Sequence, residues 1–373
     1  MTSDIDAEWS PATDLLLTAA LADDAAREIR WLLLGCAPAL ATALAEAAPN
    51  AQVRWVAADV REFTALEHAV DARGTQTIEL RDDPVQPMSA AESFEVVAIH
   101  APADRALARR WLVTAHLALA LGGTLSVVGA NAAGIRSVIA DATRLFGAPT
   151  MVDYRRHHRV ARWTRVLDAE ENPPDWLAHP GIAPGTWRHM VAAVRGTELR
   201  LDSLPGTFAA GRLDTGTALL LEHLAVGHGE RVLDVGCGAG VVGLVAARLG
   251  AGWIDLVDVD LAAVATARHN LALNEVANGR ALPSDTYEAV HGERYDLILS
   301  NPPFHRGKRV DHDMPERLIA GAPAMLVPGG RVRIVANAFL RHDALMRRVF
   351  ARVEVVAATR QYHVLEATRP REK

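Results

Sequence analysis

The segment Ser300–His305 reads SNPPFH, and its residue types suit one demanding reaction, methyl transfer to a planar exocyclic amine. Such a nitrogen is a poor nucleophile because its lone pair is delocalised into the ring. Two acceptors, the Asn301 side-chain carbonyl and the Pro302 backbone carbonyl, can hydrogen-bond the two NH2 protons. That turns the lone pair toward a methyl donor and stabilises charge developing on nitrogen. Pro302 and Pro303 fix φ at the turn and hold the acceptors still. Phe304 supplies a flat apolar face on which a base can stack.

A second set of residues suits the donor. In VLDVGCGAG, an apolar run carries Asp234, and Gly236, Cys237, Gly238 and Gly240 follow before a helix expected from Val241. Glycines let such a turn adopt positive φ and let backbone approach a ligand. Dinucleotide and nucleoside sites share this pattern. Asp234 before the glycines favours S-adenosylmethionine, because a carboxylate attracts the amino group of a methionine moiety and repels a pyrophosphate. The next apolar run ends in VDVD, where Asp258 suits two ribose hydroxyls and Asp260 a helix N-cap. Asp285 stands where a third strand should end. There it can accept from an adenine amino group, or it is an ordinary turn aspartate. Cys237 has no neighbour that would make it a nucleophile.

These residues need strand ends to hold them. The expected strands are Arg231–Val235, Ile254–Val259, Tyr295–Ser300, Arg331–Ala336 and Val353–Ala358, short apolar runs of the kind buried in a parallel sheet. Between them lie helical segments such as Leu261–Asn274, and the alternation predicts a doubly wound α/β sheet. The chain also repeats itself. Gly35–Cys36 and Gly236–Cys237 lie 201 positions apart, as do Ser93–Pro102 and Arg294–Pro303; Leu121–Ala130 and Pro328–Asn337 lie 207 apart. The change places a net insertion in the second copy between Asn301 and Pro328.

Two tandem Rossmann-like folds from an internal duplication are therefore expected. Residues 1–168 form the first copy, 169–187 a linker rich in Pro and Gly, and 188–373 the second copy. Within the last, Thr197–Leu224 reads as a hairpin or loop pair followed by a helix.

The glycine turn, the acidic strand end and NPPF together resemble class I S-adenosylmethionine-dependent methyltransferases acting on planar amines. More narrowly, LPGTFAAGRLDTGTALLL (Leu204–Leu221), VLDVGCGAG, SNPPFH and RIVANAFL (Arg333–Leu340) resemble the bacterial 16S rRNA guanine-N2 methyltransferases of the small-subunit methyltransferase C type, within the methyltransferase small domain family. The resemblance spans about residues 197–367. It implies S-adenosylmethionine as cofactor, held by Asp234, Gly236, Gly238, Asp258 and Asp285, and a target site at Asn301, Pro302, Pro303 and Phe304. The adenine contact, often Asn in such enzymes, is Asp285 here. Related alternatives are a 23S rRNA guanine N2, adenine N6 or a protein glutamine as target; a ribosome-assembly factor that only binds RNA is the alternative of another class.

The first copy has lost this equipment. Leu33 stands opposite Asp234, Ala37 and Ala39 opposite Gly238 and Gly240, and His100 and Ala103 opposite Asn301 and Phe304. A degenerate fold that supports the second copy or binds RNA is expected, as the resemblance implies.

The formal net charge of −6 argues against nucleic-acid binding by bulk charge, but not against local basic faces. Two such clusters stand out: Arg155, Arg156, Arg159, Arg162 and Arg165, and then Arg306, Lys308 and Arg309 just beyond Phe304. Two cysteines exclude a disulfide scaffold or a cysteine-rich zinc site, and His157–His158 have no companions at ligand spacing, so no metal is expected. The apolar run Trp111–Leu121 is too short to span a bilayer. The acidic N-terminus lacks an export signal. The expected partner is ribosomal RNA or the small ribosomal subunit, met in the cytoplasm by a monomer.

Overall fold

Short apolar runs pairing in parallel build both halves of the chain. The computed structural model describes residues 10–20, 29–73, 78–81, 93–166, 173–207, 213–302 and 314–370. Two compact units emerge, residues 1–187 with 204–206 and residues 188–203 with 207–373.

The first unit contains helices α1 (Pro11–Ala20), α2 (Pro38–Ala47), α3 (Val60–Arg73), α4 (Arg105–Ala118) and α5 (Ile135–Phe146). Its strands are β1 (Arg30–Leu34), β2 (Gln52–Val56), β3 (Ile78–Arg81), β4 (Phe94–His100), β5 (Leu119–Ala130), β6 (Met151–Arg155) and β7 (His158–Thr164). They form one sheet in the order β3-β2-β1-β4-β5-β7-β6.

The second unit opens with a two-stranded hairpin, β8 (Arg188–Val194) and β9 (Thr197–Ser203), followed by α6 (Thr215–Glu222). Next come β10 (Arg231–Val235), α7 (Val241–Arg248), β11 (Trp253–Asp258), α8 (Leu261–Leu273) and β12 (Gly279–Pro283). The chain continues through β13 (Tyr295–Ser300), α9 (Met314–Met325), β14 (Leu326–Asn337), α10 (His342–Val349), β15 (Phe350–Ala358) and β16 (Tyr362–Pro370). The sheet order, β12-β11-β10-β13-β14-β16-β15, repeats that of the first unit. Even the burial pattern along β5 recurs residue for residue along β14. The six-residue change in spacing falls between β13 and α9, on the stretch that follows Asn301.

In the second unit, β10 lies centrally between β11 and β13, parallel to both. Period-two alternation points Val232 toward the layer of α6, α7 and α8, and Leu233 and Val235 toward that of α9 and α10. Asp234 shares a side with Val232, so a carboxylate enters the layer of α6, α7 and α8. The order of the strands reverses between the parallel neighbours β10 and β13, the switch point at which open doubly wound sheets bind ligands. The loops after Val235, Asp258, Pro283 and Ser300 all leave the same sheet edge, as the register of neighbouring strands requires.

Beyond the expected strands stands Tyr362–Pro370, which pairs antiparallel between β14 and β15; the third strand expected to end near Asp285 is Gly279–Pro283, at the sheet edge beside β11. β14 begins at Leu326, five residues before the expected Arg331, and a register irregularity against β13 accommodates the extra length.

The first unit shows why a degenerate copy no longer suits a nucleoside. A Cβ built on Gly35 would collide with the ring of Trp111. The fully buried Trp55 donates its Nε1 proton to the Cys36 carbonyl at 2.9 Å. Two indoles thus close over the turn that corresponds to Gly236–Cys237. The segment 173–187 packs on this unit: Trp176 is buried beneath the Arg109 guanidinium, and Arg110 donates to the Gly181 carbonyl at 2.8 Å.

Candidate active site

Asp234, Gly236, Cys237, Gly238 and Asn301 line one cavity at the carboxyl edge of the second sheet. The hairpin and α6 close it from the other side through Met190, Leu201, Asp202, Asp214 and Thr217.

The three glycines of the turn do different work, although all have positive φ. A Cβ on Gly238 would meet nothing within 4 Å, and one on Gly236 only the end of Met314 at 3.6 Å. Their missing side chains leave open space that a ligand can fill. Gly240 does not line the cavity: a Cβ there would press on Leu256 at 3.0 Å and Ala267 at 3.2 Å. It serves the packing of α7 against β11 and α8. Gly240→Ala is therefore expected to destabilise the second unit by roughly 1–3 kcal/mol through backbone strain and overpacking. A lower melting temperature, with cofactor affinity kept below the transition, is the outcome to look for.

Asp234 is 1% exposed and accepts a hydrogen bond from the Gly243 backbone N–H at 3.1 Å. Burial, with a smaller contribution from the nearby charge of Asp258, pushes its carboxyl up to about 7. A buried carboxyl so close to neutrality is poised for a cationic partner in the cavity. Burial also pushes the Cys237 thiol well up, so this cysteine is a packed wall residue and no nucleophile.

Asp258 ends β11 and accepts from the backbone N–H groups of Gly238, at 2.9 Å, and Asp260, at 3.0 Å. It thereby fixes the glycine turn at the strand end. Asp260 caps α8 by accepting from Ala262 and Ala263. Asp285 pairs with Arg317 at 2.9 Å and accepts from the Thr286 hydroxyl at 3.0 Å, off the cavity lining.

The most informative group is Asn301. Its Nδ2 donates to Asp214 Oδ2 at 3.1 Å and to Thr217 Oγ1 at 2.8 Å. A carboxylate only accepts, so Asp214 dictates which end of the amide faces it. The Oδ1 atom is left buried and without a partner among the described residues. A buried carbonyl oxygen lacking a donor is costly in a folded chain, and it acts as a waiting acceptor for an N–H that arrives with a ligand.

Asp214 and Thr217 belong to the LDTGT stretch and stand more than eighty positions from Asn301, too far for spacing to pair them. Asp214 also caps α6, accepting from the Thr217 backbone N–H at 3.0 Å. Asp214→Asn keeps a capping residue but no longer dictates the orientation of the Asn301 amide. It is expected to lower kcat by about tenfold to a hundredfold, with cofactor affinity within about threefold of the parent, measured by calorimetry and single-turnover assays.

Pro302 is buried directly after Asn301. Pro303, Phe304, Arg306, Lys308 and Arg309 lie outside the described residues. Of the first unit's arginines, Arg155 pairs with Asp14 at 2.6 Å, Arg159 covers the Tyr154 ring, and Arg165 donates to the Leu119 carbonyl. Part of that cluster is thus engaged within its own unit. Among the described residues, no group of three or more His, Cys, Asp or Glu is placed to hold a metal, and no helix is long and apolar enough to cross a membrane.

Residues 198–366 match the methyltransferase small domain family. The chain is similar to ribosomal RNA small subunit methyltransferase C of Pseudomonas entomophila, 37% identical over 278 residues, which are 74% of this chain and 80% of the relative. The Chromohalobacter salexigens protein of the same name is 39% identical over 274 residues, 72% of this chain and 77% of the relative. Among solved structures, the T. thermophilus 16S rRNA N2 G1207 methyltransferase in complex with AdoMet and guanosine matches with a TM-score of 0.79 at 29% identity, over 97% of this chain and 92% of that one.

Proposed function

This chain belongs to the ribosomal RNA small subunit methyltransferase C family, and on that premise we propose how its second unit methylates the N2 amine of a guanine in 16S rRNA with S-adenosylmethionine. The observation that carries the reading is the buried, unpartnered Oδ1 of Asn301 on the same cavity as Asp234 and the open faces of Gly236 and Gly238. An acceptor with no donor and a glycine-lined cavity with a near-neutral buried carboxyl answer two halves of one ligand pair.

S-adenosylmethionine, when bound, supplies an electrophilic methyl group on a sulfonium. The Asp234 carboxylate receives the amino group of its methionine part, and Asp258 its ribose hydroxyls. Gly236 and Gly238 leave room for the rest. Asn301 Oδ1 accepts one proton of the guanine NH2 and the Pro302 carbonyl the other, which brings the nitrogen lone pair out of the ring plane. Phe304 stacks on the base. With so reactive a donor, positioning does most of the work, and the displaced proton passes to water. The guanine reaches the site only after leaving its stack.

In this scheme residues 1–168 support the second unit without chemistry of their own, the segment 169–187 joins the two, and the chain works as a monomer. Mass spectrometry of nucleosides from a deletion strain tests the function: 16S rRNA should lose N2-methylguanosine at one position and regain it on complementation. An unchanged N2-methylguanosine content with a loss of N6-methyladenosine, or with a loss of methylglutamine in the strain's proteins, would redirect the assignment.

A further inference from the structure

RIVANAFL is one of the segments that carry the family resemblance, yet nothing in the catalytic scheme uses its aromatic residue. Phe339 is 84% exposed, the most exposed large apolar side chain among the described residues. A lone exposed apolar residue is common on protein surfaces, so exposure alone decides nothing. Its location does. β13 and β14 run parallel with Ser300 opposite Ile334, which sets Asn301 level with Val335. Asn337 then stands two residues, roughly 7 Å, further out along the same edge, and Phe339 lies beyond it.

The turn that presents Phe339 is well tied down. The Phe339 backbone N–H donates to Asn337 Oδ1 at 3.1 Å, and that of Ala338 to the Gln361 carbonyl at 2.8 Å. The next residue, Tyr362, lays its ring against Gly216, where a Cβ would meet it at 3.2 Å. Gly216 lies between Asp214 and Thr217, which hold Asn301. The Phe339 turn is thus braced against the support of the candidate acceptor.

Arg341 and Arg360, on the two turns beside Phe339, are exposed and have no side-chain partner among the described residues. The internal repeat adds an independent observation. At the spacing of 207, Phe339 and Arg341 correspond to Ala132 and Gly134 in the first unit. The copy without the acceptor, and with alanine in place of two of the three glycines, also lacks the aromatic and this arginine.

We propose that Phe339 is a stacking platform for the RNA nucleotide next to the target guanine, with Arg341 and Arg360 holding the flanking phosphates. The inference rests on the rRNA substrate of the preceding section. A base taken out of its stack leaves its neighbours unstacked, and an exposed ring backed by a rigid turn recovers that stacking without reading sequence. Phosphates supply the charge complement in a chain whose overall balance is acidic.

The test uses the full-length protein loaded with S-adenosylhomocysteine, with deproteinised 16S rRNA and intact small subunits as probes. Phe339→Ala should weaken binding to deproteinised 16S rRNA by about 5- to 150-fold, the range of one base–aromatic stack. Cofactor affinity and melting temperature should be unchanged. Phe339→Tyr should restore binding and Phe339→Leu should not. Arg341→Ala and Arg360→Ala should each reduce the salt dependence of binding, by roughly 0.7 in the slope of log K against log salt. Full affinity in Phe339→Ala, or equal rescue by Leu, overturns the proposal. So does a loss seen only with intact subunits, which would make a ribosomal protein the contact. A parent protein that makes no N2-methylguanosine would sink the function instead; the affinity ratio of variant to parent still decides the platform.

Discussion

Asn301→Ala is expected to lower kcat for rRNA methylation by about 10²–10³, the scale lost when one preorganised group that stabilises developing charge is removed. Cofactor affinity should stay within about threefold of the parent, since Asn301 approaches the amine side of the cavity and the Asp234 corner is untouched. Two features make the effect large. The Oδ1 atom is buried, so water competes poorly for the incoming proton, and Asp214 with Thr217 holds the amide in one orientation before any substrate arrives. The acceptor needs no reorganisation when the amine binds. Asn301→Asp should not rescue, because it places a second carboxylate against Asp214. Single-turnover assays with calorimetry of the cofactor separate the two readouts. Equal losses of rate and cofactor affinity would move Asn301 from the amine to the cofactor.

Asp234→Asn should have the opposite signature, a loss in cofactor affinity of about a hundredfold or more, as expected when one partner of a buried charge pair is removed. A pH dependence comes with it. The folded carboxyl titrates near 7, above the ordinary carboxylate range, because burial disfavours its charge. If the ligand ammonium pairs with the ionised form, cofactor affinity should fall about tenfold for each pH unit below 7. Binding at pH 6 should then release a proton, measurable by calorimetry in buffers of different ionisation enthalpy.

The same shift carries a stability sign. The folded state binds this proton more tightly than the unfolded chain, so the ligand-free protein loses stability as pH rises from about 4 to 7, and the full cost stands above 7. Asp234→Asn removes that cost while its amide oxygen can still accept from Gly243. The ligand-free variant should therefore melt higher than the parent at pH 8 and level with it below pH 4. A variant that melts lower at pH 8 would mean that the carboxylate serves the fold and not the ligand.

The sheets could be read before the structure because parallel strands are short continuous apolar runs, and because a duplicated chain shows each run twice at a fixed spacing. Gly35 with Gly236 and Phe94 with Tyr295 anticipate two sheets of identical strand order. Strands with few apolar residues stand out less: Tyr362–Pro370 pairs antiparallel between two neighbours and buries the adjacent Val364 and Leu365 on opposite faces, and Gly279–Pro283 lies at a sheet edge.

Asp234, Gly236, Gly238 and Asn301 converge on one cavity because each ends or follows a strand, and neighbouring strand ends must meet. Two other features escape such reasoning. Asp214 and Thr217 reach Asn301 through tertiary folding, with an N-cap aspartate doubling as an amide clamp. Gly240 looks like a third ligand glycine, but its missing Cβ makes room for Leu256 and Ala267. No one-dimensional pattern separates a glycine that faces a ligand from one that faces a helix.

The most direct measurement is a crystal structure with S-adenosylhomocysteine and guanosine bound together. The guanine N2 should lie about 2.7–3.2 Å from Asn301 Oδ1, with the second amine proton on the Pro302 carbonyl and the nitrogen facing the sulfur. Asn301 Nδ2 should remain on Asp214 and Thr217. A guanine whose N2 points away from Oδ1, or an amide flipped so that Oδ1 faces Thr217, would contradict the assignment of Asn301 as the acceptor.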